Sequence, residues 1–467
     1  MIFTSIEFFL FIAAVLLAIR FSKREEDRRL ILVFASYFFY AWWDWRFCFL
    51  LLGSTTVDHY VGLRIAEAQA KNVRRRWLVL SLCANLGVLG FFKYMNFFMD
   101  SFREAFLTAG IRMPEHLDII LPVGISFFTF QTMSYTIDVY RGVLPPTRSF
   151  RDFALFVSFF PQLVAGPIVR GSTFLPQLGT VHPLRMENVR AGALLFLRGF
   201  LKKALFADYL GIYVDPVYQN PELYSSATLW MATFAYAAQI YYDFSGYTDM
   251  AIGVARALGY ELPENFRHPY LSRNISEFWR RWHISLSTWL RDYLYISAGG
   301  NRKGQPRTYF NLMLTMFLGG LWHGASWNFV LWGVLHGIAL GVHRAWRGDA
   351  RKQIEGGFLR QVGSWALTFL FVSFCWVFFR AQSFDTALVV LRKLAFVDAG
   401  GIDWFYVQAM IVLAVSALLH IVVLARKEKP LEIEIHGPVR WGLFVAFLAV
   451  LLYIMPTGPA PFIYFQF

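Results

Sequence analysis

Apolar stretches of roughly membrane-spanning length recur along almost the whole chain, with short polar breaks between them. Residues 3–19, 77–98 and 308–322 are examples, and the last such stretch covers residues 441–455. A helix needs about 20 mostly apolar residues to cross the hydrocarbon core of a bilayer. The pattern therefore predicts an all-α polytopic membrane protein with about 11 transmembrane helices plus re-entrant or interfacial helices.

Lysine and arginine cluster in several of the short segments that separate these stretches. Residues 20–29, 71–76 and 344–360 are the clearest cases. Short loops rich in Lys and Arg stay on the cytoplasmic side of a membrane, so these three segments should face the cytoplasm and the N-terminus should face outward. The net charge of +13 is concentrated in such loops. That distribution indicates topology signals and contact with membrane lipid rather than a nucleic-acid groove.

The composition agrees with this fold class. The chain has 467 residues, of which 57% are hydrophobic and only 16% are charged, whereas soluble domains carry about 25% charged residues. The apolar stretches are spread too evenly for one soluble core with a tail. We therefore predict one membrane domain over residues 1–467, with a catalytic core at about 121–345.

Two regions are expected to depart from simple spans. Residues 153–170 are apolar but contain Pro161, Gly166 and Pro167. Proline at such depth frees backbone carbonyls that lipid cannot satisfy, so this segment should be kinked or re-entrant and buried in protein, as the wall of a cavity. After the span at 226–244, residues 250–260 are expected to continue as a separate helix.

Residues 267–307 form the second unusual region, because arginines alternate there with tryptophans and tyrosines. If residues 274–292 are one helix, a single face carries Trp279, His283, Leu286 and Leu290. Arginine at the bilayer centre is costly, so this helix fits a cytoplasmic interface or a half-inserted position better than a full span.

His323 is the strongest candidate for chemistry. It lies in GGLWHGASWN, residues 319–328, inside a long apolar run and next to glycines and tryptophans. An ionisable group at that depth needs a partner, a cavity or a function. Histidine suits proton transfer near neutral pH, so His323 is predicted to be catalytic. The alternative is that it only hydrogen-bonds a neighbouring helix.

His283, in FWRRWHISLS, is the second predicted catalytic residue and would position the transferred group or its donor. A packing histidine is the alternative. Its neighbours Trp279, Arg280, Arg281 and Trp282 are candidates for contact with a phosphate-bearing donor substrate, because arginines bind phosphate groups. An ordinary basic helix at a membrane interface would carry the same residues.

Other polar residues in apolar sequence favour structural roles. The spacing of His323, His336 and His343 fits no compact zinc signature, so no metal site is predicted. His336 is expected to pack or to line the cavity, and His343 to lie at the interface. Asp243 is expected to form a structural ion pair with an arginine or histidine in preference to acting as a catalytic acid.

Six ordered motifs make the chain resemble the bacterial membrane-bound O-acyltransferase (MBOAT) family. They are residues 121–142, 159–170, 241–253, 265–296, 319–333 and 461–467. The likeness runs through the whole chain and is greatest to membrane subunits of alginate O-acetylation, with D-alanyl-lipoteichoic acid transferase subunits as near cousins. It implies a ring of helices around a central tunnel, and it places the reactive histidine of the family at His323 and its second motif histidine at His283.

The resemblance also implies a reaction. An acyl group, most simply acetyl, would pass from a cytoplasmic thioester donor, acetyl-CoA or an acyl carrier, across the inner (cytoplasmic) membrane. It would reach a hydroxyl of an extracytoplasmic polysaccharide such as alginate, directly or through a periplasmic acetyltransferase partner. No bound cofactor is expected. The alternatives are D-alanyl transfer to teichoic acid, O-acetylation of peptidoglycan and, from another class, a transporter with a histidine proton relay.

Overall fold

The computed structural model describes residues 1–111, 116–180, 183–347, 357–426 and 442. Within these ranges every regular element is a helix, and the only extended pairing is an isolated bridge between Tyr224 and Ile402. The predicted all-α class is confirmed. The predicted span at 441–455, apart from residue 442, and the motif at 461–467 lie outside the described residues.

The first part of the chain folds as the apolar pattern predicts. Its helices are α1 (Ile6–Phe21), α2 (Glu25–Asp44), α3 (Arg46–Glu67), α4 (Lys71–Leu89), a π-helical turn (Gly90–Tyr94), α5 (Met95–Thr108) and α6 (Ile125–Arg141). The turn between α2 and α3 is tight because the Asp44 carboxylate accepts hydrogen bonds from the backbone N–H and the guanidinium of Arg46. The π-helical turn lies in the second half of the predicted span at 77–98.

The proline-containing segment is broken and buried, as predicted. It forms α7 (Phe150–Ser158), the single turn α8 (Phe160–Leu163) and, after an irregular stretch, α9 (Gly171–Leu178). Every residue from 153 to 169 is buried. The backbone groups that the breaks expose are therefore enclosed by protein.

Helix α12 (Ser226–Ala257) is the centre of the fold. It packs against α10 (Met186–Leu201), α11 (Asp208–Gln219), α17 (Phe358–Arg380), α18 (Phe384–Leu394) and α19 (Val407–Ala425). The predicted separate helix at 250–260 is wrong, because α12 continues without a break to Ala257. Its glycines are contact residues: a Cβ at Gly246 would come 2.7 Å from the Gly199 carbonyl oxygen on α10.

The predicted single helix over 274–292 is also wrong. The chain forms α13 (Ile275–Arg281), α14 (Ile284–Trp289) and a π-helical turn (Leu290–Tyr295), with a break at Trp282 and His283. Trp282 is extended and His283 is left-handed, with φ of 42°. The backbone N–H of Ile284 bonds to the carbonyl of Asn265, so a distant loop holds the break.

Helices α15 (Gln305–His323) and α16 (Trp327–Arg347) form a close hairpin on either side of residues 324–326. Their closeness depends on glycine, since a Cβ on Gly320 would overlap the carbonyl oxygen of Phe329. Among the described residues, three helical stretches are long and apolar enough to cross a membrane by length and composition: Lys71–Arg103, Phe358–Arg380 and Val407–Ala425.

Candidate active site

His323 is the last residue of α15 and is buried, with 3% of its surface exposed. Three aromatic rings surround its imidazole. The centroid distances are 5.1 Å to Trp322, 5.0 Å to Trp332 and 5.2 Å to Phe379. The second tryptophan of the sequence motif, Trp327, is 59% exposed and takes no part in this enclosure. The imidazole is therefore held in an aromatic, water-poor setting.

Two side chains from the π-helical turn Gly90–Tyr94 fix the end of α15. The Lys93 ammonium donates to the carbonyls of Trp322 at 2.6 Å and His323 at 3.2 Å, and the Tyr94 hydroxyl donates to the carbonyl of Leu321 at 2.8 Å. The last carbonyls of a helix have no partner inside the helix, and a cation there is favourable. Lys93 therefore helps to set the position of His323.

His283 is fully buried at the break between α13 and α14. Its Nδ1 lies 3.2 Å from Oδ1 of Asn265, and the same oxygen accepts the backbone N–H of Ser285 at 3.0 Å. A backbone N–H can only donate, which identifies this Asn265 atom as the oxygen. Nδ1 of His283 therefore carries the proton, and Nε2 of the neutral ring keeps a lone pair.

The structure brings the two predicted catalytic histidines together. The imidazole centroids of His283 and His323 are 6.4 Å apart, although 40 positions separate the residues in sequence. Trp322 lies against both rings, at 5.8 Å from His283 and 5.1 Å from His323. Nε2 of His283 is buried without a hydrogen-bond partner within the described ranges. Nε2 of His283 can therefore accept a hydrogen bond from one hydroxyl group, while the imidazole of His323 can take the proton of another.

The four predicted donor contacts do not share one surface. Trp279 and Trp282 are buried, and the Trp279 indole donates to Nδ1 of His336 at 3.3 Å. Arg280 is exposed, and Arg281 pairs with Glu277 at 2.9 Å. Trp279 of α13 and Trp282 at the break after it pack inward, whereas Arg280 lies at the surface and Arg281 is partly exposed. Any role of these residues toward a donor remains a prediction.

The remaining polar residues of the sequence prediction have structural contacts. His336 is buried and accepts the Trp279 indole N–H, as expected for a packing residue, and His343 lies 3.0 Å from the Ser276 hydroxyl. Asp243 pairs with Lys203 at 2.9 Å, so the expected ion pair forms with a lysine. In the part of the chain that the structure describes, no three His, Cys, Asp or Glu side chains are grouped to hold a metal.

An ion pair joins the proline-containing segment 153–170 to the π-helical turn Leu290–Tyr295. Arg170 pairs with Asp292 at 2.6 Å, and Arg291 binds the same carboxylate. Burial raises the pKa of Asp292, but the hydrogen bonds from Arg291 and Arg170 outweigh it and hold the pKa below its ordinary value. Asp292 is therefore a carboxylate at neutral pH.

Sequence reasoning missed Lys93 and Asn265. Lys93 gave a usable signal, because a single lysine inside the apolar stretch 77–98 needs a partner. Asn265 gave none, since it lies in a polar loop 18 residues before His283 and only the folded chain brings the two together.

Comparison with known proteins points to one family. The family model for membrane-bound O-acyltransferases (MBOAT) matches residues 143–379. The "Probable alginate O-acetylase AlgI" of Pseudomonas aeruginosa is 44% identical over 391 residues, covering 83% of this chain and 73% of that protein. The peptidoglycan O-acetyltransferase of Helicobacter pylori is 42% identical over 400 residues, covering 80% and 75%. The teichoic acid D-alanyltransferase of Streptococcus thermophilus is 30% identical over 240 residues, covering 48% and 57%.

Proposed function

The chain belongs to the membrane-bound O-acyltransferase family, and we propose that it transfers an acetyl group from a cytoplasmic thioester to a hydroxyl of an extracytoplasmic polysaccharide such as alginate. The acyl-transfer class follows from the family. The acetyl group and the polysaccharide are proposed because relatives of more than 40% identity are named as an alginate O-acetylase and a peptidoglycan O-acetyltransferase. The family also favours an acyltransferase over a transporter.

The observation that carries the proposal is the pairing of His283 and His323 at 6.4 Å in a buried aromatic setting. A general base must lie within hydrogen-bond reach of the proton that it removes. Nε2 of His283 is a hydrogen-bond acceptor, because Asn265 holds the proton on Nδ1. In our proposal Nε2 of His283 accepts a hydrogen bond from one hydroxyl of the acceptor sugar and so positions the sugar, and His323 removes the proton of the neighbouring hydroxyl that reacts.

The transfer itself is a substitution at the thioester carbonyl carbon. The hydroxyl oxygen forms a bond to this carbon while the imidazole of His323 takes the hydroxyl proton. The carbonyl oxygen carries the negative charge of the tetrahedral intermediate. The carbon–sulfur bond then breaks, the sulfur leaves with the bonding electrons, and the imidazolium returns the proton to it. The products are the O-acyl ester and the free thiol.

The donor is proposed to approach from the cytoplasmic side, next to the break between α13 and α14. Arg280 is exposed there, and Arg273 and Arg291 are exposed in the same basic stretch. Guanidinium groups bind phosphates of a coenzyme or carrier. Trp279 and Trp282 are buried, so we assign them to support of the site instead of to direct contact with a donor headgroup.

The remaining parts of the proposal concern the location and the partners. We propose a multi-pass protein of the cell inner membrane with about 11 spans, by the length of about 20 residues per span. A tunnel would join the donor and acceptor sides, and a periplasmic acetyltransferase or the polysaccharide itself would receive the acetyl group. The family and the apolar helices support the membrane location.

The test uses the purified full-length protein in detergent or vesicles with radiolabelled acetyl-CoA and alginate oligosaccharides. We expect labelled O-acetyl ester with the wild-type protein and loss of at least about 100-fold with His323→Ala, because general base catalysis contributes about 10²–10⁴-fold. If the protein transfers label only from a D-alanyl carrier protein, the proposed donor is wrong. If it transfers label only to peptidoglycan fragments, the proposed acceptor is wrong. Unchanged acetyl transfer by His323→Ala would remove this residue from the mechanism.

A further inference from the structure

The indole N–H groups of the buried tryptophans fall into two sets. In the first set each N–H donates to a protein acceptor at 2.9–3.3 Å, and its members are Trp279, Trp289 and Trp376. In the second set the N–H is buried and has no hydrogen-bond partner among the residues that the structure describes; its members are Trp282, Trp322 and Trp332. Buried N–H groups are normally hydrogen-bonded, so the second set calls for an explanation.

Two members of this second set flank His323. The ring centroids of Trp322 and Trp332 lie 5.1 Å and 5.0 Å from the His323 centroid, at interplanar angles of 81° and 82°. Trp322 and Trp332 are 3% and 0% exposed. The unsatisfied donors are therefore concentrated around the proposed reactive imidazole.

The surrounding protein holds both indoles firmly. The carbonyl of Trp322 accepts the Lys93 ammonium, and its ring packs against Phe127 at 5.2 Å and Phe130 at 5.6 Å. The ring of Trp332 packs against His336 at 4.7 Å. Each ring is thus in place before any substrate binds, as a preorganised donor must be.

We propose that the indole N–H groups of Trp322 and Trp332 bind the carbonyl oxygen of the thioester and stabilise the oxyanion that develops on it. This inference rests on the proposed function. When the hydroxyl oxygen bonds to the carbonyl carbon, the π electrons of the C=O bond move to its oxygen, and the two N–H groups donate to that oxygen. The electrons return when the carbon–sulfur bond breaks, and neither indole gains or loses a proton.

The chemistry of the site favours this ligand atom. An indole N–H can only donate, so its partner must be an acceptor, and the thioester carbonyl oxygen is the acceptor on which charge develops. Nε2 of His283 is itself an acceptor and suits the hydroxyl substrate instead. The Lys93 ammonium lies 5.9 Å from the centroid of the Trp322 ring, but it donates to the carbonyls of Trp322 and His323 and to the Ser126 hydroxyl.

The test compares variants that remove the N–H but keep an aromatic ring. Trp322→Phe, Trp332→Phe and replacement of each tryptophan by β-(3-benzothienyl)alanine, in which sulfur takes the place of the N–H, are assayed for acetyl transfer from acetyl-CoA. We expect kcat per folded protein to fall about 10–100-fold with KM for acetyl-CoA nearly unchanged, since one oxyanion donor contributes up to about 10²–10³-fold in kcat. The benzothienyl variants should fall as far as the Phe variants although they leave no space unfilled.

Trp376→Phe is the matched control. Trp376 is as deeply buried and lies 5.8 Å from Trp332, but its N–H already donates to the Tyr270 hydroxyl at 3.1 Å. This variant should lose stability while its folded fraction keeps kcat within a few-fold of the wild type. An equal loss of kcat in Trp376→Phe and Trp322→Phe would mean that ring packing, not an N–H donor, matters at these positions, and it would overturn the proposal.

A second measurement reads the hydrogen bond directly and does not depend on turnover. In His323→Ala, which stops transfer, the infrared carbonyl band of bound [1-¹³C]acetyl-CoA should lie at lower wavenumber than in water-free solvent. Adding Trp322→Phe or the benzothienyl replacement should move it upward. An unmoved band together with unchanged kcat in the benzothienyl variants refutes the inference. Wild-type protein that transfers no acyl group from any thioester refutes the proposed function instead.

Discussion

The side-chain oxygen of Asn265 accepts a hydrogen bond from Nδ1 of His283 at 3.2 Å. The backbone N–H of Ser285 fixes the orientation of the asparagine amide, so one loop residue determines which nitrogen of His283 carries a proton. A residue 18 positions away in sequence thereby sets the chemistry of the second histidine.

Replacing Asn265 should therefore reduce catalysis through His283. We expect Asn265→Ala to lower kcat by roughly 10–100-fold, by analogy with the range seen when hydrogen-bond partners that orient metal-binding histidines are removed. Asn265→Asp keeps an acceptor oxygen and should recover part of the activity with a shifted pH profile. Steady-state acetyl transfer across pH measures both effects.

Ser285→Ala is the control for this prediction. It removes the hydroxyl, which donates to Asn265 at 2.9 Å and accepts the backbone N–H of Ile168 at 3.0 Å, and it leaves the backbone N–H of Ser285 in place. Its kcat should stay closer to the wild type than that of Asn265→Ala. Equal kcat in Asn265→Ala and wild type would show that the tautomer of His283 does not matter to the reaction.

Lys93 should be required for the position of His323. Lys93→Met removes the hydrogen bonds to the carbonyls of Trp322 and His323, and a bond from a charged donor contributes about 1.5–3 kcal/mol. We expect a lower unfolding temperature and a large loss of acetyl transfer. Tyr94→Phe, which removes only the bond to Leu321, should have a smaller effect on both. If Tyr94 were the main support of His323, Tyr94→Phe would lose more stability and more acetyl transfer than Lys93→Met.

Much of the helical layout could be predicted from the sequence, because apolar length and proline position act locally. The broken, buried segment at 153–170 was predictable in this way. The pairing of His283 with His323 could be anticipated only from the resemblance to a family, since no local pattern places residues of two separate helices together.

Two predictions were wrong, the separate helix at 250–260 and the single helix over 274–292. Both errors arise from contacts between segments that are distant in sequence. Glycine at 246 resembles a helix breaker in sequence, but it lies inside α12 because α10 packs directly on it. The stretch 274–292 has a helical pattern, yet a loop at residue 265 holds its break at His283. The hydrophobic periodicity of a segment cannot predict either contact, because the residues that determine its conformation lie outside that segment.

The hairpin of α15 and α16 should not tolerate a methyl group at Gly320. A Cβ there would overlap the carbonyl oxygen of Phe329, and backbone cannot move aside cheaply. Overpacking costs about 1–3 kcal/mol or more, so Gly320→Ala should lower both the unfolding temperature and acetyl transfer. Gly341→Ala in the same hairpin is the control, because its Cβ would meet the Tyr309 ring at an ordinary 3.5 Å. Equal stability of the two variants would contradict the close packing at Gly320.

The pair formed by Arg170 and Asp292 should give a pH-dependent contribution to stability. The pKa of Asp292 is lowered in the folded protein, so its contribution is present above the unfolded pKa of about 3.9 and is lost as pH falls through the lower folded value. Asp292→Asn should therefore unfold at a lower temperature than the wild type at pH 7, and the difference should vanish in strong acid. A difference that is independent of pH would show that the carboxylate charge is not responsible.

A buried ion cluster that joins α12 to the start of α11 offers the sharpest stability test. Lys203 pairs with Asp208 at 2.7 Å and with Asp243 at 2.9 Å, and the three side chains are at most 10% exposed. Lys203→Met leaves two carboxylates without their cation, and loss of one partner of a buried pair costs roughly 3–5 kcal/mol. Adding Asp243→Asn removes one of the two negative charges that Lys203 neutralises in the wild type, so the double variant should be more stable than Lys203→Met alone.

An exposed ion pair provides the comparison for this cluster. Arg267 and Glu264 pair at 2.6 Å, but their side chains are 62% and 52% exposed. Arg267→Ala should change the free energy of unfolding by less than about 1 kcal/mol, because solvent screens exposed pairs. Unfolding in detergent at neutral pH measures all of these variants under one condition. If Lys203→Met unfolds like Arg267→Ala, or if the double variant is the least stable of the three, then the two carboxylates are not held by Lys203 in the folded protein.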